Sequence, residues 1–123
     1  TLLKISDVEH GMVLKGLKNH PTKVIINHIN QIPCKKMVNF ATGSLGNNIP
    51  SKPLRLTPTH PIVIDNKYVR PRSLLNASSI YVKKDRVKTH TIVTDNGLPI
   101  MIYNVPVSTW NIKNWNQRFS CVD

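Results

Sequence analysis

No β-prone run in this chain continues for long before a turn residue stops it. Such runs stand at residues 23–28 (KVIINH), 36–40, 54–57, 62–65, 80–82, 89–93 and 100–103. Between them lie Asn19-His20-Pro21, the Gly- and Asn-rich stretch 43–48, Asp65-Asn66-Lys67 and Asp95-Asn96-Gly97. Nine prolines and five glycines punctuate the chain at strand-like spacing, and no window carries a sustained helical repeat of apolar residues. Short helical turns are expected only at 6–11, where Asp7 and Glu9 follow a candidate Ser6 cap, and at 72–76. The pattern predicts an all-β, compact fold of short strands and hairpins with little helix.

A chain of 123 residues is long enough for one domain with a sizeable core and too short for two. Hydrophobic residues make up 40% and charged residues 19%, the balance of a folded domain rather than of a disordered tail. No apolar run approaches the roughly 20 residues of a membrane-spanning helix, and no signal peptide is visible. The chain opens on Thr1, directly into a strand-like TLLKI, and reads as a fragment of a longer polypeptide.

Charge is strongly one-sided, with 17 Lys and Arg against six acids, a net +11. No carboxylate occurs between His10 and Ile64, and nine of the basic residues fall between Lys52 and Lys88. Lys83, Lys84, Arg86 and Lys88 are the densest group. Such a field attracts nucleic acid, an anionic surface or an acidic partner; the competing reading is a solvated basic surface. Only seven residues are aromatic, and no RRM, KH, zinc-finger or helix-turn-helix pattern accompanies the charge.

The stretch LRLTPTHPIVID, residues 54–65, sets a polar cluster between two strand-like runs. Pro58 and Pro61 lack amide protons and bias Thr57 and His60 toward extended geometry, so the segment cannot pair continuously inside a sheet. Thr57 and His60 are thereby held on a stiff, kinked piece of chain. It is either a turn with incidental polarity or a site.

Four pieces, in order, resemble the Hint (hedgehog/intein) domain family. Ile5-Ser6-Asp7-Val8 followed by Gly11-Met12-Val13 is similar to the family's I-x-D-L-x-x-G-D-x-V, with Met12 in place of the second Asp. Thr57 and His60 match its T-x-x-H element. PIVIDNKYVRPRSLLN, from Pro61 to Asn76, resembles the run that follows that element in one branch. Thr89 to Trp110, ending in NVPVSTW, is similar to the branch's C-terminal H-I-x-L…G-L-P-V-E-S-Y. The resemblance implies a horseshoe-like Hint domain over residues 1–110 with its first strand upstream or missing, and a C-terminal extension or arm over 111–123.

It also implies an autoprocessing chemistry. A Cys or Ser at the domain's first position attacks the carbonyl before it, converting a peptide into a thioester or ester. His60 would donate a proton to the leaving amine, Thr57 would orient the amide, and His90 resembles an assisting histidine on the later strand. The attacking residue would lie ahead of Thr1, and the C-terminal His-Asn pair of splicing inteins has no match here; Ser108-Thr109 or Thr109-Trp110 stand near its place. The implied activity is self-cleavage, not splicing. The alternative is a non-catalytic basic structural or binding module retaining the fold, such as part of a viral capsid or surface protein. Partners in these readings are the chain's own flanking polypeptide, other subunits, or an anionic molecule or nucleic acid at Lys83, Lys84, Arg86 and Lys88.

Nothing in the sequence asks for a cofactor. His10, His20, His28 and Cys34 lack a zinc spacing, and no metal is expected. Cys34 and Cys121 are a disulfide or two thiols, with a structural role favoured over catalysis. Asn76-Ala77-Ser78 is a formal glycosylation acceptor. Outside the resemblance, His90 reads as an outward strand residue, and Tyr103, Trp110 and Trp115 as core or interface anchors.

Overall fold

The computed structural model describes residues 5–30 and 34–115. Eleven strands build three small sheets among them, so the all-β expectation holds. The first sheet has the order β1 (Val13–Lys15), β2 (Pro21–Ile29), β8 (His90–Thr94), β11 (Trp110–Asn111). The second runs β6 (Lys67–Val69), β5 (Ile62–Ile64), β10 (Val105–Val107), β9 (Ile100–Ile102). The third runs β4 (Leu54–Leu56), β3 (Cys34–Phe40), β7 (Ile80–Val87). All pairings are antiparallel except β11 against β8. Turns of 3-10 helix stand at Ile5–Asp7, Leu17–Asn19 and Pro71–Leu74.

Period-two alternation explains why these short runs are strands. Leu54 and Leu56 are buried around exposed Arg55, and Val105 and Val107 are buried around Pro106. Their inward side chains join Val38, Phe40, Ile62 and Ile80 in the larger core, between the second and third sheets. Val8, Val24, Ile92 and Ile100 form a smaller core, and Ile102 packs against both. Full burial of each such side chain is worth about 1.5–3 kcal/mol, so the joint at Ile102 ties the three sheets into one body.

Two hairpins close on two-residue turns. Asp65-Asn66 (φ 51° and 64°) joins β5 to β6, and Tyr103-Asn104 (φ 48° and 67°) joins β9 to β10. Positive φ at both central residues is the twist-matched type I′ geometry. The domain boundary expected at residue 110 falls inside β11. Residues 111–115 stay on the body: a helical turn begins at 112, and Trp115 is buried with its ring 5.4 Å from His28 and 5.7 Å from Trp110. The rest of the expected arm, 116–123, lies outside the described residues, as do Cys121 and the side chain of Cys34.

Candidate functional site

The polar cluster Thr57–His60 is a hydrogen-bonded turn between β4 and β5: His60 N–H donates to Thr57 O at 3.2 Å, with Pro58 at the position where its fixed φ suits a turn. Of the two readings of this segment, the turn is present, closed by this bond. It is pinned from outside as well, because Arg72 N–H donates to Pro58 O at 3.1 Å.

The turn faces a segment far along the chain. β10 pairs with β5 through Val107 and Ile62, and Ser108 N–H then donates to Pro61 O at 3.0 Å. Two residues later the chain has left that sheet, and Trp110 pairs in parallel with Val93 of β8. Ser108-Thr109 is therefore where the backbone crosses between sheets. Neither sheet's regular bonding covers that crossing, and a cleft of ≈ 430 Å³ opens there. Thr57, Thr59, His60, Ser108, Thr109 and Asn114 give it its polar wall.

His60 is the titratable group of this cleft. Its Nε2 lies 3.0 Å from Ser108 O. A carbonyl only accepts, so the bonded tautomer carries its proton on Nε2 and leaves a lone pair on Nδ1. Burial pushes the imidazole below its ordinary value, and the bond to Ser108 opposes that push without cancelling it. The ring is accordingly neutral at neutral pH, able to give a proton from one nitrogen and take one at the other.

Across the crossing runs a chain of hydroxyls. Thr109 Oγ1 donates to Leu98 O at 2.8 Å, so the 3.0 Å contact between the two threonines has Thr94 Oγ1 as donor. Thr94, fully buried, accepts in turn from Gly97 N–H at 2.8 Å. Each bond in such a series polarises the next. Gly97 is required here: its φ is 68°, and a Cβ would meet the Asn111 Cβ at 2.8 Å.

Of the three residues expected at a site, Thr57 and His60 share this cleft and His90 does not line it. His90 begins β8, and its Nδ1 donates to Asn27 Oδ1 at 2.9 Å. Asn27 uses its amide hydrogens on Ile5 O and Val8 O at 2.8 and 2.9 Å. His90 therefore fixes, through Asn27, the backbone of the Ile-x-Asp segment. Reading the sequence missed Ser108, Thr109 and Asn114 as cleft residues; the one signal was the place of Ser108-Thr109 at the end of the NVPVSTW run.

Asn76 of the sequon is committed to the loop before β7. Its Oδ1 accepts from the amides of Ser78, Ser79 and Ile80 at 3.0, 3.0 and 2.9 Å. Among the described residues no group of three or more His, Cys, Asp or Glu side chains is placed to hold a metal, and no helix is long and apolar enough to cross a membrane. No family model matches this chain, and neither a curated protein nor a solved structure is significantly similar to it.

Proposed function

We propose that this chain is a Hint-like self-processing domain, acting once on a peptide bond of its own polypeptide by an N-to-S or N-to-O acyl shift. The observation that carries the reading is the pairing of Thr57 with a neutral His60 in one polar cleft, its Nε2–H already aimed at a backbone carbonyl. In the reaction a Cys or Ser side chain adds to the carbonyl of the residue before it as its proton passes to the lone pair on His60 Nδ1. The C–N bond then breaks, a thioester or ester forms, and the freed amine needs a proton. The imidazolium so formed gives its Nε2–H to the freed amine once the bond to Ser108 O yields to the incoming amide, returning the ring to neutral as the other tautomer, and Thr57 Oγ1 holds the amide distorted. A positioned acid of this kind contributes on the order of 10²–10⁴-fold in rate. His90 does not line this cleft and is bonded to Asn27 instead.

The second reading is a non-catalytic basic module with the same fold, favoured by the exposed cations of β7. One experiment separates them. A precursor carrying sequence ahead of Thr1 is expressed as wild type, His60→Ala and Thr57→Val, and fragment sizes are followed with and without added thiol. Self-processing expects thiol-accelerated cleavage of the wild type and little or none in His60→Ala. A wild-type precursor that stays whole under both conditions sinks the enzyme reading and leaves the module.

A further inference from the structure

Strands β3 and β7 pair well beyond the core they share. Phe40 faces Ile80 and Val38 faces Val82; Phe40, Ile80 and Val38 are buried, whereas Val82 is already 43% exposed. Past that point the two strands continue as a ribbon, with Lys35, Lys36, Lys83, Lys84 and Arg86 all exposed. Within it Met37, opposite Lys83, is buried. Strand-depleted Lys and Asp make up much of β7, and its length follows its pairing with β3.

The register sorts these side chains. Arg55 of β4, Asn39 of β3 and Tyr81 of β7 form one row across the three strands, on the face opposite Phe40 and Ile80. Lys83 follows Tyr81 on that face two residues on, about 7 Å along the strand. Between the pairs Lys36↔Lys84 and Cys34↔Val87, Lys35 alone stands opposite two residues, Asp85 and Arg86. That is a bulge, which increases the local twist and turns the ribbon's end away from the flat of the sheet. Tyr81 is 41% exposed in the middle of this charge.

We infer that this ribbon is a binding site for single-stranded nucleic acid, with Lys35, Lys83 and Arg86 on successive phosphates and a base stacked on Tyr81. The charge selects a polyanion, since Asp85 is the ribbon's one acid against five cations. The aromatic selects among polyanions. An exposed ring on the edge strand, with Lys83 two residues on along the same face, is a stacking platform for an unpaired base, and a duplex offers no free base to it. This inference is independent of the self-processing reading, because the ribbon lies apart from the residues that line the His60 cleft.

The test uses the full chain and fluorescein-labelled oligo-dT, oligo-U and a mixed-sequence duplex, titrated over a series of salt concentrations, with anionic phosphatidylserine vesicles as a further arm. Single strands are expected to bind, with log K falling linearly in log salt. Lys83→Ala lowers that slope by roughly 0.7 for each phosphate the side chain neutralises. Tyr81→Ala weakens binding about tenfold or more and leaves the slope unchanged, which a purely electrostatic surface would not produce. The oligo-dT and oligo-U arms rank DNA against RNA within the same chemistry. The inference is overturned if single strands do not bind at low salt or if the duplex binds more tightly. It is equally overturned by vesicle binding without oligonucleotide binding, or by unchanged affinity in Tyr81→Ala. Both substituted positions are exposed, and unchanged circular dichroism and melting in each variant keep a folding defect out of the comparison.

Discussion

At the sheet crossing, polar side chains are bonded to the fold itself. His60 holds Ser108 O, Thr109 holds Leu98 O, and Thr94 lies between Gly97 and Thr109. On the β3–β7 ribbon, Lys35, Lys83, Lys84 and Arg86 stand exposed on two strands paired through the backbone. The first region gains position from its polar groups: a donor fixed within hydrogen-bond reach of a carbonyl can do chemistry that the same donor on a mobile surface cannot. The second gains field, which acts over a Debye length and tolerates imprecision. Substitutions should therefore behave differently in the two places, with large losses of stability at the crossing and almost none on the ribbon.

The largest effect is expected at Trp115. Its buried ring packs against His28 and Trp110 and anchors the segment that follows the cleft. Trp115→Ala should cost about 3–5 kcal/mol in denaturant unfolding, the range for a buried large aromatic. Gly97→Ala comes next. The new Cβ meets Asn111 at 2.8 Å on a backbone with φ of 68°, so strain and overpacking add to about 2–4 kcal/mol. Both should raise amide exchange at Trp110 and Asn111 before they affect β3 and β7. Equal loss of protection in the ribbon would show that the two regions are one cooperative unit and break the comparison.

The sequence carried the local part of this arrangement and not the long-range part. Alternation in Leu54-Arg55-Leu56 and the proline-bounded turn after it could be read directly, because a strand's period and a proline's missing N–H are local properties. The short runs 13–15, 67–69 and 105–107 passed unrecognised as strands. Lys67–Val69 has an exposed, exposed, intermediate pattern that hides alternation, and β10 carries a central Pro106. Tyr103-Asn104 closes a type I′ turn without the Asn-Gly or Asp-Gly that announces one. β7 runs five residues beyond the 80–82 expected, since pairing with β3 overrides the poor strand propensity of Lys and Asp. The cleft itself joins His60 to a carbonyl 48 positions away, and no local pattern encodes that.

A smaller, pH-dependent effect distinguishes the buried histidine from the exposed cations. Burial holds the folded His60 below its ordinary value near 6.5, so the unfolded chain binds more protons whenever the pH falls below that value. Stability associated with the neutral ring is present above about pH 6.5 and is lost as the pH falls toward the lowered folded value. His60→Gln keeps a donor for Ser108 O and removes the titration. Melting temperatures of the two proteins should lie close at pH 7.5 and separate in favour of the variant as the pH drops toward 5, against a background from the other four histidines common to both. Parallel pH curves would mean that His60 titrates as freely as a surface group, and the claim of a neutral, positioned imidazole would fail.

The smallest expected effect is the one that most sharpens the contrast. Lys83→Ala and Lys84→Ala remove exposed charges, and surface changes of this kind stay within about 0.5 kcal/mol. Relief of repulsion across the Lys36↔Lys84 pair can even raise the midpoint slightly in Lys84→Ala, by a few tenths of a kcal/mol, more at low salt than at high. Urea unfolding of each variant at two ionic strengths reads this directly. A loss above about 1 kcal/mol at either position would place the cations among the groups that hold the fold together, as His60 and Thr109 are at the crossing. The ribbon's charge would then be explained by stability, and its reach beyond the core would no longer need a partner to account for it.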